Sequence, residues 1–368
     1  MTCHEQVVGL AAVIAMAAAC GDNGDRCGTG TVELDGVCTA GPAAACGDGT
    51  KLENGLCVID PRTCQAGTVL IAGQCVDPTT ALTVDLEESA EPNGRAIAAG
   101  VEVSEAPAGT ITLRPLGTAF IVHGQLVPFR DSDGDGQLDP DIDTYLVPVT
   151  GPTLLEISVD GVGGAQGGFY MVGDPDGAVP TYERYGLNLT GDTSRRSVFL
   201  PAGGTYLLAI ADTRSLAIGQ NPPRPTGAGG TAGVSGAEYY ASITARELPT
   251  PSALTVTGSV ATQTGTLATD EVKLFSAALG AGGPINVHDT MTGAAAASLA
   301  VINAGQFVGY ADEIPATTSA PAAEAEVSLS SAPGDTALIA VDAVYNFGPA
   351  PEPFTLTVTV TQAAAAVP

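Results

Sequence analysis

From Ala81 onward the chain is built of short Thr, Val, Leu and Ile runs punctuated by Gly, Pro, Asp and Asn. Gly109–Leu113, Thr144–Val149, Leu154–Val159, Val198–Leu200, Tyr206–Ile210 and Phe354–Val360 are examples. In Phe354-Thr355-Leu356-Thr357-Val358-Thr359-Val360 apolar residues alternate with Thr, the period of a strand with one buried face. No amphipathic helical run with caps interrupts them. Strands without crossover helices predict an all-β chain of antiparallel, jelly-roll-like β-sandwiches. The uncharged stretch Thr290–Ala311 contains Asn303, Gln306 and several Gly, and reads as strands of a packed sheet, not as a membrane span.

Composition divides this region. Arg246-Glu247-Leu248-Pro249-Thr250-Pro251-Ser252 reads as a short Pro-rich linker between domains at residues 81–247 and 253–362. The halves share a pattern. Asp141-Ile142-Asp143-Thr144-Tyr145 has its counterpart in Asp270–Ser276, Leu200–Ile210 in Ala332–Val341, and Ala237–Ile243 in Pro353–Val360. With Glu91-Pro92-Asn93 as an opening and Pro201-Ala202-Gly203-Gly204-Thr205-Tyr206 as a later strand, these motifs resemble the bacterial pre-peptidase C-terminal (PPC) domain. The resemblance implies a compact, non-catalytic β-sandwich that accompanies secreted enzymes or surface proteins, sometimes binding Ca²⁺ and extended polymers.

The N-terminal segment sets a compartment. Val7–Ala19 is apolar and too short to span a roughly 30 Å hydrocarbon layer, as expected of a signal peptide at 1–19. Ala17-Ala18-Ala19-Cys20 resembles the lipobox of bacterial lipoproteins, which implies a diacylglycerol on Cys20 and a lipidated tether at 20–26. Gly21 resembles the residue that accompanies sorting to the outer membrane. The expected location is the bacterial cell envelope, lipid-anchored, on its periplasmic or its outer surface.

Six further Cys form a repeat within residues 27–77: Cys27 and Cys38, Cys46 and Cys57, Cys64 and Cys75. Each unit carries Gly-Thr just after its first Cys and Gly two residues before its second. Asp35-Gly36, Asn54-Gly55 and Ala72-Gly73 then supply three tight turns, so each unit reads as a hairpin stapled within itself. Bonds between neighbouring units are the alternative. So few large apolar residues bury little core, and bridges of roughly 2–4 kcal/mol each would hold the module in an oxidising compartment. Zinc is excluded by spacing, since its Cys pairs stand two to four residues apart.

A formal net charge of −27 argues against nucleic acid as a partner and favours cations. Asp131-Ser132-Asp133-Gly134-Asp135-Gly136-Gln137-Leu138-Asp139 matches the first nine positions of a calcium loop. Oxygen ligands fall at 1, 3, 5 and 9, Gly at the sharp turn, and the Gln137 carbonyl at 7. Position 12 is Ile142 and not Glu, with Asp141 and Asp143 beside it, so the loop resembles thrombospondin type 3 and dockerin-like loops more than an EF-hand. The expected ligand set is Asp131, Asp133, Asp135, Gln137, Asp139 and Asp143, holding a weak structural Ca²⁺.

No catalytic residue is assigned. His123 and His288 lie in no nucleophile or ligand motif and read as surface histidines, and the chain has no Trp to line a sugar cleft. Phe169-Tyr170, Tyr182, Tyr185 and Tyr239-Tyr240 form either an aromatic patch or, better, core. The expectation is a non-catalytic lipoprotein displaying modules for binding or adhesion to an extracellular polymer or protein. The rival is an extracellular hydrolase, or its accessory subunit, working through paired carboxylates.

Overall fold

The computed structural model describes residues 31–34, 37–40, 50–53, 56–59, 68–71, 74–78, 82–88, 107–126, 141–162, 167–173, 183–186, 193–212, 216–217, 224–225, 237–257, 259–268, 271–280, 282–291, 297–313, 323–343 and 351–361. It divides into two compact units, residues 1–60 and 61–368.

Hairpins form where the repeat predicts them. In the first unit β1 (Thr31–Leu34) pairs antiparallel with β2 (Val37–Ala40), and β3 (Thr50–Glu53) with β4 (Leu56–Ile59). In the second, β5 (Val69–Ile71) pairs with β6 (Gln74–Val76). Two residues separate the strands each time, and the second Cys of each unit takes an equivalent register: Cys38 faces Glu33, Cys57 faces Leu52 and Cys75 faces Leu70. Cys75 is disulfide-bonded. Cys20, Cys27, Cys46 and Cys64 lie outside the described residues.

The third hairpin packs on the first sandwich. Val69 and Ile71 are buried with Ile121 of the first sandwich, framed by Leu82, Val84, Ala119, Val162 and Tyr240. The apolar side chains of this repeat are spent against a sheet, which supplies the core that so small a unit lacks.

The first sandwich contains β7 (Leu86–Glu87), β8 (Gly109–Thr110), β9 (Ala119–Leu126), β10 (Ile142–Val149), β11 (Thr153–Val162), β12 (Gly167–Val172), β13 (Glu183–Gly186), β14 (Thr193–Leu200) and β15 (Gly204–Asp212). A two-stranded ribbon of β16 (Leu216–Ala217) and β17 (Arg224–Pro225) precedes its last strand, β18 (Ala237–Arg246). One sheet has the order β13-β12-β15-β10-β8 and the other β14-β11-β18-β9-β7. Alternate residues of both sheets, among them Tyr145, Leu155, Ile157, Tyr206, Leu208 and Ile243, make one closed core.

One local expectation shifts. The run at 109–113 reduces to the two residues of β8, which add parallel to β10 at the sheet edge. Gly161 lies near the end of β11, and Gly167 and Gly168 open β12. A Cβ at Gly167 would lie 2.8 Å from the Val159 side chain and 3.0 Å from its carbonyl oxygen, so Gly there permits close strand contact.

The second sandwich comprises β19 (Ser252–Leu254), β20 (Val260–Leu267), β21 (Lys273–Ala278), β22 (Gly283–Met291), β23 (Ala297–Asn303), β24 (Gln306–Glu313), β25 (Ala323–Ser331), β26 (Thr336–Ala343) and β27 (Glu352–Val360). Its sheets run β19-β21-β26-β23-β24 and β20-β27-β22-β25. Along β27 Phe354, Leu356, Val358 and Val360 are buried while the intervening Thr are half-exposed, the period of the sequence realised residue by residue. Pairing is antiparallel except for short parallel edge pairs, β7 with β9, β8 with β10 and β19 with β21.

The sandwiches are bound to each other by an apolar seam. Leu154 and Phe199, on the outer face of the first, pack against Val272, Leu274, Ala300, Ile302 and Ala340 on the outer face of the second. Every residue of β23 is therefore buried, Ala297, Leu299 and Val301 in its own core and Ala300 and Ile302 on the seam side. A strand covered on both faces needs no polar alternation, which accounts for the uncharged run at 297–303.

Candidate functional site

Of the six expected calcium ligands, Asp131, Asp133, Asp135, Gln137 and Asp139 lie outside the described residues. The sixth, Asp143, is fully buried on the inner face of β10, two residues after the half-buried Asp141. Side chains two apart leave one face of an extended chain, so both carboxyl groups stand on the core side at the start of β10. An all-oxygen donor set rich in carboxylates suits a hard cation such as Ca²⁺.

Behind Asp143 lies a sealed polar knot. The Tyr145 and Tyr239 hydroxyls hydrogen-bond to each other, one from each sheet. Burial pushes the Tyr239 phenol well above its usual range, and the charges of Asp143 and Glu88 add to the effect. Tyr239 therefore stays a neutral phenol that crosslinks the sheets and is no proton-transfer group at neutral pH. Glu88 is held by the Gln125 amide, which donates to it at 2.6 Å. Gly124 completes the knot, because any Cβ there would collide with the Tyr239 hydroxyl. Tyr239→Phe is expected to cost about 1–2 kcal/mol, read as a lowered denaturant midpoint at unchanged slope.

The Pro-Ala-Gly motif also has a structural task. Tyr206 donates its hydroxyl to the Ala202 carbonyl at 3.0 Å and accepts from the Ala202 amide at 3.3 Å, pinning the turn to the strand after it. Burial raises its phenol to about 12. A Cβ on Gly203 would meet the Thr150 carbonyl oxygen at 2.8 Å, so the turn admits Gly alone without rearrangement.

Both histidines sit in carboxylate company on sheet faces. His123 stacks on Tyr240 with ring centroids 4.5 Å apart, its Nδ1 2.7 Å from Glu87 and its Nε2 3.6 Å from Glu238. His288 lies 3.5 Å from Glu324. Of the aromatic cluster, Phe169, Tyr170 and Tyr239 are core, Tyr240 is half-exposed beside His123, and Tyr182 lies outside the described residues. Among the described residues no group of three His, Cys, Asp or Glu is placed to hold a metal ion, and no helix is long and apolar enough to cross a membrane.

Sequence reasoning missed Glu88 and Gly124, which belong to the knot only because β9 and β18 pair. The signal available for the others was Asp143-x-Tyr145, an acid and a phenol on the buried face of a strand.

No protein-family model matches the chain, and no curated protein matches it. Among solved structures it is similar to the pre-peptidase C-terminal domain of a collagenase from Bacillus anthracis, at 14% identity, covering 38% of this chain and 99% of that one, with a TM-score of 0.23. It is also similar to a tandem CBM22 domain from Paenibacillus barcinonensis, at 10% identity over 68% of this chain and 93% of that one, with a TM-score of 0.21. At these scores neither likeness places the chain in a family.

Proposed function

We propose that this chain is a non-catalytic lipoprotein of the bacterial cell envelope. A lipid on Cys20 anchors it in the outer membrane, and its β-sandwiches are displayed to bind an extracellular polymer or protein, with Ca²⁺ in the acidic loop as a structural ion. The disulfide pairs are Cys27 with Cys38, Cys46 with Cys57 and Cys64 with Cys75. The observation that carries the calcium reading is the position of Asp141 and Asp143. The acidic run directly precedes β10 in the sequence, and Asp143 is buried on the inner face of that strand, so an ion held by the run would also steady the start of β10. What supports a binding role over catalysis is the employment of His123 and His288 in surface contacts with carboxylates, and of the buried Tyr145 and Tyr239 phenols as a crosslink between sheets.

Calcium is expected to raise the melting temperature of the full chain. With a Kd of about 10⁻⁴–10⁻³ M, 10 mM Ca²⁺ contributes roughly 1.4–2.7 kcal/mol, a rise of several degrees for a protein of this size. Asp133→Ala abolishes the rise, and chelator reproduces that state in the parent protein. Equal melting curves in calcium and chelator would refute the ion's role. The anchor is tested separately: Cys20→Ser is expected to move the protein from the membrane fraction to the soluble one, and retention at the membrane would refute lipidation at Cys20.

A further inference from the structure

Among the described residues strand β20 ends its sheet, with β27 on one side and no strand on the other. Thr257 occupies only the first position of the open edge, where it and Val260 exchange backbone hydrogen bonds (Thr257 N to Val260 O 3.0 Å, Val260 N to Thr257 O 3.4 Å). Hydrogen-bonding direction alternates along a strand, so Thr262, Thr264 and Thr266 turn their N–H and C=O groups to that same edge. The opposite pairing agrees: Thr266 faces Pro353, which has no N–H to give.

Sheets normally guard such an edge with charge, proline, a bulge or brevity. The other long edges here follow the rule. Strand β14 carries Arg195 and Arg196, β13 carries Glu183 and Arg184, β25 carries Glu324 and Glu326, and β24 pairs through a bulge. Strand β20, Val-Ala-Thr-Gln-Thr-Gly-Thr-Leu, has none of these devices, and Thr262, Thr264 and Thr266 are exposed. It lies in a stretch, residues 252–269, without one charged side chain, in a chain of net charge −27. A second copy approaching most other surfaces meets like charge, whereas β20 itself carries none and the charges beside it, Glu271 and Lys273, pair with each other at 2.7 Å.

We propose that β20 is a homodimerisation edge, two copies pairing antiparallel about a two-fold axis through Thr264. Thr262 of each copy then faces Thr266 of the other, and each facing pair exchanges both backbone hydrogen bonds. This register uses all three open residues. It also sets Gln263 of one copy across from Gly265 of the other, beside a cleft of about 290 Å³ lined in part by Thr250, Ser252, Glu271, Lys273 and Phe354. Gly265 is closed over by Phe354, whose ring would lie 2.8 Å from a Cβ, so the opposing amide meets a strand position without a side chain of its own. In a single copy the Gln263 amide donates to the Thr264 carbonyl at 2.7 Å, which leaves that oxygen's second lone pair to the facing strand. Thr–Thr pairs across the axis complete the outer face.

The test is the mass of the full chain in detergent by light scattering across the micromolar range, paired with cysteine crosslinking. A dimer is expected. Thr264→Pro removes one edge donor and no internal bond, and Thr262→Lys installs an edge charge. Each is expected to raise the dimer Kd at least about tenfold with the unfolding curve unchanged. Under mild oxidation Thr264→Cys is expected to crosslink to itself. Thr262→Cys does so only when mixed with Thr266→Cys, since Cα atoms of facing pairs lie within disulfide reach. A monomer at every concentration, a dimer indifferent to both edge variants, or self-crosslinking of Thr262→Cys alone would overturn the proposal.

Discussion

Raising the pH from 4 to 8 is expected to remove on the order of 4 kcal/mol from the stability of the second sandwich, and Asp289→Asn is expected to abolish that loss. Asp289 is fully buried on the inner face of β22, in line with Ile285, Val287 and Met291, all of them core. Neither carboxyl oxygen has a well-formed hydrogen bond, and the nearby Thr290 amide offsets only part of the burial cost. Burial, with a smaller contribution from the Asp342 charge, raises the carboxyl from 3.8 to about 7.

The direction of the effect follows from proton binding. Below about pH 3.8 the acid is neutral in both the folded and the unfolded chain, so it contributes no pH dependence. Between about 3.8 and 7 the folded state keeps a proton that the unfolded chain has released, so stability falls as pH rises. Above 7 the charge is present in the core and the full cost remains. Denaturant unfolding at a series of pH values reads the slope, and the difference between parent and Asp289→Asn isolates this residue from the other carboxylates. Parallel profiles for the two proteins would show that Asp289 ionises normally.

Phe199→Asp is expected to uncouple the two sandwiches. Phe199 is 1% exposed, yet it points away from its own core and into the seam with Val272, Leu274, Ala300 and Ile302. The substitution removes an aromatic side chain from a closed interface and puts an unpaired charge there, at a cost of about 3–5 kcal/mol. Both cores remain intact, so the loss falls on the coupling. Calorimetry of the parent is expected to show one transition and of the variant two, with the seam face of β23 newly open to proteolysis or hydrogen exchange. Glu156, which pairs with Arg195 at 3.1 Å and Arg246 at 3.0 Å beside Leu154, is half-exposed. Its removal is expected to cost under about 1 kcal/mol by the same measurement. A single unshifted transition in Phe199→Asp would mean that the seam contributes nothing.

Much of the fold was legible because its rules are local. Alternation in Phe354–Val360 reports which face is buried, since side chains of a strand alternate by geometry alone. Two-residue gaps ending in Gly marked the hairpins at Leu34–Val37, Glu53–Leu56 and Ile71–Gln74 for the same reason. Charge was equally direct. The acidic loop and the neutral run 252–269 are properties of composition and need no coordinates.

Of the candidate site only Asp143-x-Tyr145 was legible, because its partners arrive from distant strands. Tyr239 reaches Tyr145 across 94 residues of chain, and Gly124 matters only because β9 lies beside β18. Asp289 shows the same limit. Asn286-Val287-His288-Asp289-Thr290 alternates well enough to indicate a strand, yet an Asp in it reads as solvent-facing until the register with β25 and β27 turns it inward.

The sequence by itself determined the all-β class, the hairpin repeat and the acidic run at 131–143, because these rest on spacing, charge and side-chain period. Tertiary structure decided what covers each sheet. It placed the third hairpin on the first sandwich, joined the sandwiches through Phe199 and Leu274, sank Asp289 in a core and left β20 open. Those are choices between faces and edges that local patterns leave equivalent, and they are settled only when distant apolar surfaces are removed from water together.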